Sequence, residues 1–258
     1  MFEELYQYRD LLYMLILRDI RIRYKQAAMG FLWALFMPVM AVLSGILVQK
    51  AMSVVSGHPM ETSGIASISV KVLPWTFFIS SIRFSVQSLV GNMSLVTKIY
   101  FPREVLPLSS ICACLFDFSI SIVVLIALLT VFKVGVSVHL LLAPLLIVLL
   151  VLFTAGLGLL LASANLFFRD VKYVVEVVLM FGIFFTPVFY SARSFGALKP
   201  FLLLNPVGSI LESLNDVVVL HQMPDFLWLT YAVVCSVGLF IVGARVFHVM
   251  EPLFAENI

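Results

Sequence analysis

Charge along this chain is confined to islands. No Asp, Glu, Lys or Arg falls between Lys25 and Lys50, nor between Lys133 and Arg169, and both gaps are filled with Leu, Val, Ala, Phe and Ile. A hydrocarbon core about 30 Å thick asks a helix for about 20 such residues, so the pattern predicts membrane-spanning helices. Six spans are predicted, at about residues 27–49, 72–91, 106–131, 143–165, 173–191 and 226–247. Pro38 lies inside the first, Pro74 and Trp75 open the second with an aromatic-belt signature, Pro144 marks the start of the fourth, and the fifth ends in FFTPVFY.

The polar stretches between these runs have their own periodicity. In residues 1–26 the apolar run Leu11–Leu17 is too short to cross a bilayer. Arg18, Arg21 and Lys25 share one helical face, and Tyr13, Ile16, Ile20 and Tyr24 share another. A helix lying in the headgroup plane satisfies both faces, and a plain flanking segment rich in cations is the alternative. Residues 194–225 hold two apolar pieces, each too short to span, broken at Asn205–Pro206. A re-entrant helical hairpin entering from the outer face fits them, and a surface loop with two amphipathic turns is the other reading. Residues 98–108, KIYFPREVLPL, place Lys98, Arg103 and Glu104 beside two prolines that end and restart helices. That makes a short, stiff, charged element between long apolar runs.

Composition agrees with the pattern. Of 258 residues, 62% are apolar and 12% charged, against about 25% charged in soluble domains. A net charge of +2 gives no case for nucleic acid. With six spans, both ends share a side with Arg9, Arg18, Arg21, Arg23, Lys25, Lys98, Arg103, Arg169, Lys172 and Arg245. The other side holds Lys50, Lys71, Lys133, Arg193 and Lys199, and this excess places both termini in the cytoplasm. Cys112, Cys114 and Cys235 fall in apolar runs and are read as small buried hydrophobes. The first long apolar run begins near residue 27 and is too long for the core of a signal peptide, so no cleavable leader is expected.

Recognisable catalytic patterns do not occur. No Lys is followed by Ser or Thr, so there is no phosphate-cradling P-loop. There is no H-E-x-x-H or D-x-D, and His58, His139, His221 and His248 are read as isolated, without a carboxylate partner. No catalytic residue and no metal site is expected. A membrane enzyme acting on lipid-linked sugars would have to assemble its chemistry from dispersed carboxylates such as Asp117, Glu176, Glu212 and Asp216. Arg83 and Asp117 are read as intramembrane charges, at depths of roughly 12 and 17 Å from the inner face. They are close enough in depth to pair, and they serve as a structural pair, a snorkelling arginine or a polar wall for a transported substrate. No internal repeat and no filter motif is visible, which argues against a secondary transporter or a simple channel.

A series of segments is similar, in order, to the ABC-2 type exporter permeases, and more narrowly to those of polysaccharide (O-antigen and teichoic acid) export. They are RDIRIRYKQAAMGFLWALFMPV (18–39), NMSLVTKIYFPREVLPLSS (92–110), NLFFRDVKY (165–173), FFTPVFYS (184–191), LLNPVGSILESLND (203–216) and FAENI (254–258). The resemblance implies an all-α membrane protein in one domain over residues 1–258. Its parts are a cytoplasmic interfacial helix at 1–26, six spans with a re-entrant hairpin before the last over 27–247, and a cytoplasmic tail at 248–258. It implies a homodimer in the bacterial inner membrane, driven by a separate ATPase subunit that holds the ATP and Mg, and moving a polyprenyl-diphosphate-linked polysaccharide. A teichoic acid, a small drug or a lipid is the alternative cargo.

The site residues follow from the same resemblance. Lys98, Phe101, Pro102, Arg103 and Glu104, with Arg169 and Asp170, would dock the ATPase, their charges facing the cytosol. Trp33, Phe36, Phe184, Phe185 and Tyr190 would line a channel on which sugar rings stack, although any one of these aromatics equally suits a lipid-facing position. Arg18, Arg21, Arg23 and Lys25 would receive a pyrophosphate headgroup, or anionic lipid.

Overall fold

The computed structural model describes residues 6–25, 32–56, 62–98 and 101–255. Every regular element among them is helical. They are α1 (Arg9–Lys25), α2 (Leu32–Ser56), α3 (Thr62–Gly91), α4 (Met93–Lys98), α5 (Val105–Val131), α6 (Ala143–Phe167), α7 (Val171–Phe185), α8 (Lys199–Leu203), α9 (Pro206–Val218) and α10 (Phe226–Met250). Turns of 3-10 helix occupy Val138–Leu142, Ala192–Leu198 and Glu251–Ala255. The expected residues 27–31, Ile99, Tyr100 and the terminal Glu256–Ile258 lie outside the described set.

Among the described residues, 5 helices are long and apolar enough to cross a membrane: α2, α3, α5, α6 and α10. The limits of α5, α6 and α10 follow the apolar runs closely. Capping chemistry helps to set them. Pro144 stands in the first turn of α6, and the Asp225 side chain accepts the Leu227 N–H at the start of α10.

The expected fifth span is shorter than its sequence suggests. α7 has 15 residues, roughly 22 Å at 1.5 Å per residue. It stops because Thr186 precedes Pro187, whose ring drives the residue before it into the extended region; Thr186 sits at φ −109°, ψ 133°. The second span errs the other way. α3 begins at Thr62 and carries Pro74 inside it, so Lys71 is a helix residue and not a loop charge. The two apolar pieces of 194–225 are helices, and they break where expected. The Asn205 side chain accepts the Val207 N–H and Pro206 takes the first helical position of α9.

α6 packs most extensively on α10 and then on α3. α3 also packs on α5, α2 leans on α3, and α1 lies along α5. α9 is buried along its whole length against α3, α10 and α6. Apolar area does little to hold helices together in lipid, so small residues that let backbones approach matter more. Small polar residues are buried on both helices: Ser81, Ser85 and Ser88 on α3, and Thr154 and Ser163 on α6. A Cβ on Gly158 would come within 2.6 Å of the Ser85 hydroxyl oxygen. One apolar core fills the body of this bundle. A second, smaller core gathers Leu15, Leu89, Val96, Phe101, Val105, Leu166, Phe247 and Phe254 at one end. That end is defined by the 92–105 segment.

Candidate functional site

The charged island at 98–108 is welded to the last residues of α10. The Arg103 backbone N–H donates to Glu251 Oε1 at 2.9 Å, and its guanidinium donates to the Glu251 carbonyl at 2.5 Å. The same guanidinium reaches the Val96 carbonyl and lies 6.0 Å from the centre of the Phe254 ring. Phe254 in turn packs edge-on against Phe247 at 5.1 Å and against Phe167 at 5.8 Å. Glu104 is only 1% exposed, and Phe101 is buried in the small core. Glu104 thus departs from the expectation that the charges of this island face outward: it stands at the start of α5 with its side chain enclosed by the protein. Lys98, Arg169 and Asp170 are exposed, and Pro102 is half-buried.

His248 is not isolated. Its Nδ1 lies 3.7 Å from Glu104 Oε1 and 3.7 Å from Glu251 Oε2. These three side chains bring donor atoms within 4.8 Å of one another and tie the island to the last span. The i, i+3 spacing of His248 and Glu251 was the available signal.

α1 is anchored at its last turn. Arg23 donates to Asp117 Oδ2, Tyr24 O–H donates to Asp117 Oδ1, and Arg23 Nη2 lies 3.4 Å from Cys114 Sγ. The guanidinium also lies 4.1 Å from the centre of the Phe84 ring. Burial and the adjacent Asp117 carboxylate push the Tyr24 hydroxyl well above its usual range, so it remains a donor. Of the four cations expected to meet a headgroup, Arg23 is thus engaged with α5. Arg18 pairs with Asp19 at 2.9 Å, while Arg21 and Lys25 are exposed. Met14, Leu17, Arg18, Arg21, Ile22 and Lys25 line an open groove of about 490 Å³.

This anchor makes a prediction. Asp117→Asn keeps the shape of the site and removes its charge. Hydrogen bonds to charged groups contribute about 1.5–3 kcal/mol, so the last turn of α1 should open roughly tenfold or more often. Limited trypsin digestion at Arg21 and Lys25 should accelerate accordingly, with the melting of the bundle little changed.

Asp117 and Arg83 do not pair. Arg83 forms a two-point ion pair with Glu176 on α7, at 2.7 and 2.8 Å. Glu176 falls inside the predicted 173–191 span, where the apolar residues around it dominate the pattern and mask it as an intramembrane charge. Of the candidate channel aromatics, Trp33 is half-buried and packs edge-on against the exposed Phe36 at 5.4 Å. Phe184 and Phe185 stand exposed at the end of α7. Tyr190 O–H donates to the Phe184 carbonyl at 2.8 Å, and its ring contacts Phe195.

At the opposite end, a buried polar knot holds α9 to the bundle. Lys71 is 2% exposed, donates to the Tyr190 carbonyl and lies 3.7 Å from Glu212 Oε1. That same oxygen accepts the Ala192 N–H at 2.6 Å. One turn further along α9, Asp216 accepts from Arg193 at 2.8 Å. Spacing alone does not reveal the knot, since its members come from α3, the 190–193 segment and α9.

Residues 10–219 match the sequence profile of the ABC-2 type transporter family. The O-antigen export system permease protein RfbA of Myxococcus xanthus is 30% identical over 258 residues, covering 99% of this chain and 98% of that protein. A protein of the same name from Klebsiella pneumoniae is 27% identical over 249 residues, covering 96% and 94%.

Proposed function

The chain belongs to the ABC-2 type transporter family, and from that premise we propose that it is the membrane subunit of an ATP-driven exporter of lipid-linked polysaccharide. The likeness to O-antigen export permeases over nearly the whole chain carries the reading. In this reading two copies work with a separate ATPase subunit, which binds ATP and Mg, in the bacterial inner membrane. A polyprenyl-diphosphate-linked, O-antigen-like glycan is the cargo. The names of the relatives speak for a glycan over a small drug or lipid.

The proposed topology has six crossings and both termini in the cytoplasm. α7 together with residues 186–191 makes the fifth crossing, and α8–α9 forms a hairpin that enters from the outer face and returns. The buried length of α9 supports this, since backbone that does not span is tolerated at depth only when protein encloses it. Lys98, Arg169 and Asp170, exposed beside the Arg103 weld, then form the surface that meets the ATPase. A stiff island passes movement of the motor to α5 and α10 together, where a slack one would absorb it. The Arg103–Glu251 contacts and the packed Phe167, Phe254 and Phe247 rings supply that stiffness. Phe36, Phe184 and Phe185 are exposed apolar rings of the kind on which sugars slide.

The experiment is to express the chain with its ATPase in glycan-producing cells and substitute Arg103→Ala. ATP hydrolysis by the purified complex should persist while surface glycan falls about tenfold, the effect of losing roughly 1.4 kcal/mol of coupling. A thiol placed at Lys98 should react only from the cytoplasmic face. Unimpaired export in the Arg103→Ala complex, or labelling at 98 from outside, would overturn the mechanism or the topology respectively.

A further inference from the structure

α3 is well enclosed, and the part of it left open is mostly polar, Phe84 being the large apolar exception. Thr76, Ser80, Arg83 and Gln87 recur at four, three and four residues, which places them in one stripe along the helix. Thr76 and Ser80 are half-buried, Arg83 and Gln87 are exposed, and the residues between them are mostly buried. α7 borders this stripe and contributes Glu176 to Arg83. On the other border Phe84 is 44% exposed, with the Arg23 guanidinium of α1 lying 4.1 Å from its ring centre. The side chains of Arg83 and Glu176 remain 46% and 40% exposed.

Acyl chains are not a tolerable neighbour for this stripe. Charges at bilayer depth face a protein interior or water, because each is costly in hydrocarbon. Arg83 is also not extended toward the helix end in search of the interface, since Glu176 holds it with two hydrogen bonds. The other open helix faces look different. α2 shows Met37, Leu43 and Leu47, α5 shows Val123 and Ile126, and α10 shows Val234 and Val242. Those faces suit lipid or an apolar partner.

We propose that the stripe Thr76, Ser80, Arg83 and Gln87, with Glu176, is the wetted wall of the transport path, along which the hydroxyl groups of the cargo exchange hydrogen bonds. The glycan as cargo rests on the function proposed above. A guanidinium has five N–H donors, and Glu176 uses two of them, leaving donors for sugar oxygens. Gln87 offers both a donor and an acceptor. The charges of Arg83 and Glu176 cancel, so the wall neither traps nor repels a chain by net charge. Weak contacts repeated along a path permit passage, because a tight site would hold the cargo.

The test uses the full transporter complex in membranes, with Cys112, Cys114 and Cys235 replaced by Ala. Ser80→Cys and Gln87→Cys are each introduced and treated with a charged, membrane-impermeant methanethiosulfonate, with Val123→Cys as the lipid-facing control. Size-exclusion profiles confirm assembly. Both stripe positions should react at least about tenfold faster than the control, as water access requires. Reaction at both positions no faster than Val123→Cys overturns the proposal. So does spontaneous disulfide formation between two copies through either position, which would mean that the second copy covers the stripe. Fast labelling that is equal in cells with and without the lipid-linked glycan upholds the wall and instead refutes the glycan as its cargo.

Discussion

Gly243→Val is expected to loosen the seating of α10 on α6 and to lower the melting temperature of the fold markedly. These two helices make the most extensive contact in the structure, and they touch through backbone. A Cβ on Gly243 would collide with the Gly156 carbonyl oxygen. From the other side, a Cβ on Gly156 would lie 2.6 Å from the Leu239 carbonyl and from the Phe240 nitrogen. A flexible side chain yields to such an intrusion, but a helix backbone does not, so the axes must separate. In lipid no hydrophobic force recloses them. Overpacking costs about 1–3 kcal/mol where side chains can adjust, and here the upper end applies. About 3 kcal/mol is roughly a 100-fold fall in the folded ratio and about 5–10 °C in melting temperature. The contrast is on the same helix: Gly238 has no atom within 4 Å of its built Cβ, so Gly238→Val should melt near the parent. Equal melting of the two variants in detergent would show that α6 and α10 do not meet at Gly156 and Gly243.

The features legible in the sequence are those that depend on runs and local stops. The limits of α5, α6 and α10 follow from long apolar stretches, and the break before α9 follows from Asn205–Pro206. Family membership was legible too, because the polar segments occur in a recognisable order along the chain. Pairing was not. Arg23 meets Asp117 across 94 positions and Arg83 meets Glu176 across 93, and periodicity carries no information at that range. Lys71 was misplaced because Pro74 and Trp75 are a strong opening cue, while the residues before them are short in Leu and rich in Ser. Proline is tolerated inside a membrane helix when neighbours satisfy the freed groups, so the cue did not mark a boundary. The direction of Glu104 was hidden for a related reason. A charge beside prolines reads as solvent-facing, and only the position of Glu251 and His248 shows that this one turns inward.

The contacts that sequence could not supply are concentrated at the two ends of the bundle. At one end Arg103, Glu104, His248 and Glu251 make the island, α5 and the foot of α10 into one piece. At the other, Lys71 and Glu212 fix α9 and the segment after α7 to α3. Between these knots the open face of α3 is bounded by α7 on one side and by α1 on the other. Movement of α7 relative to α3 would change the width of the stripe, and the Arg83–Glu176 pair joins the two helices there.

Lys71→Met tests the knot around Glu212, and a large loss is expected. Methionine keeps the length and much of the volume of lysine, so packing is nearly conserved and the charge alone is removed. Glu212 is 7% exposed, and it would then lack its nearest cation. Removing one partner of a buried pair costs about 3–5 kcal/mol, because the remaining charge stays uncompensated. The Tyr190 carbonyl would lose its lysine donor as well. The variant should fold poorly in detergent and release the 190–193 segment to protease. The decisive arm is the double variant Lys71→Met, Glu212→Gln, in which no buried charge is left and the amide still accepts the Ala192 N–H. It should recover most of the loss, giving a coupling of about 1–3 kcal/mol in a double-mutant cycle. Additive effects of the two substitutions would mean that Lys71 and Glu212 do not support one another, and the attachment of α9 to α3 would need another cause.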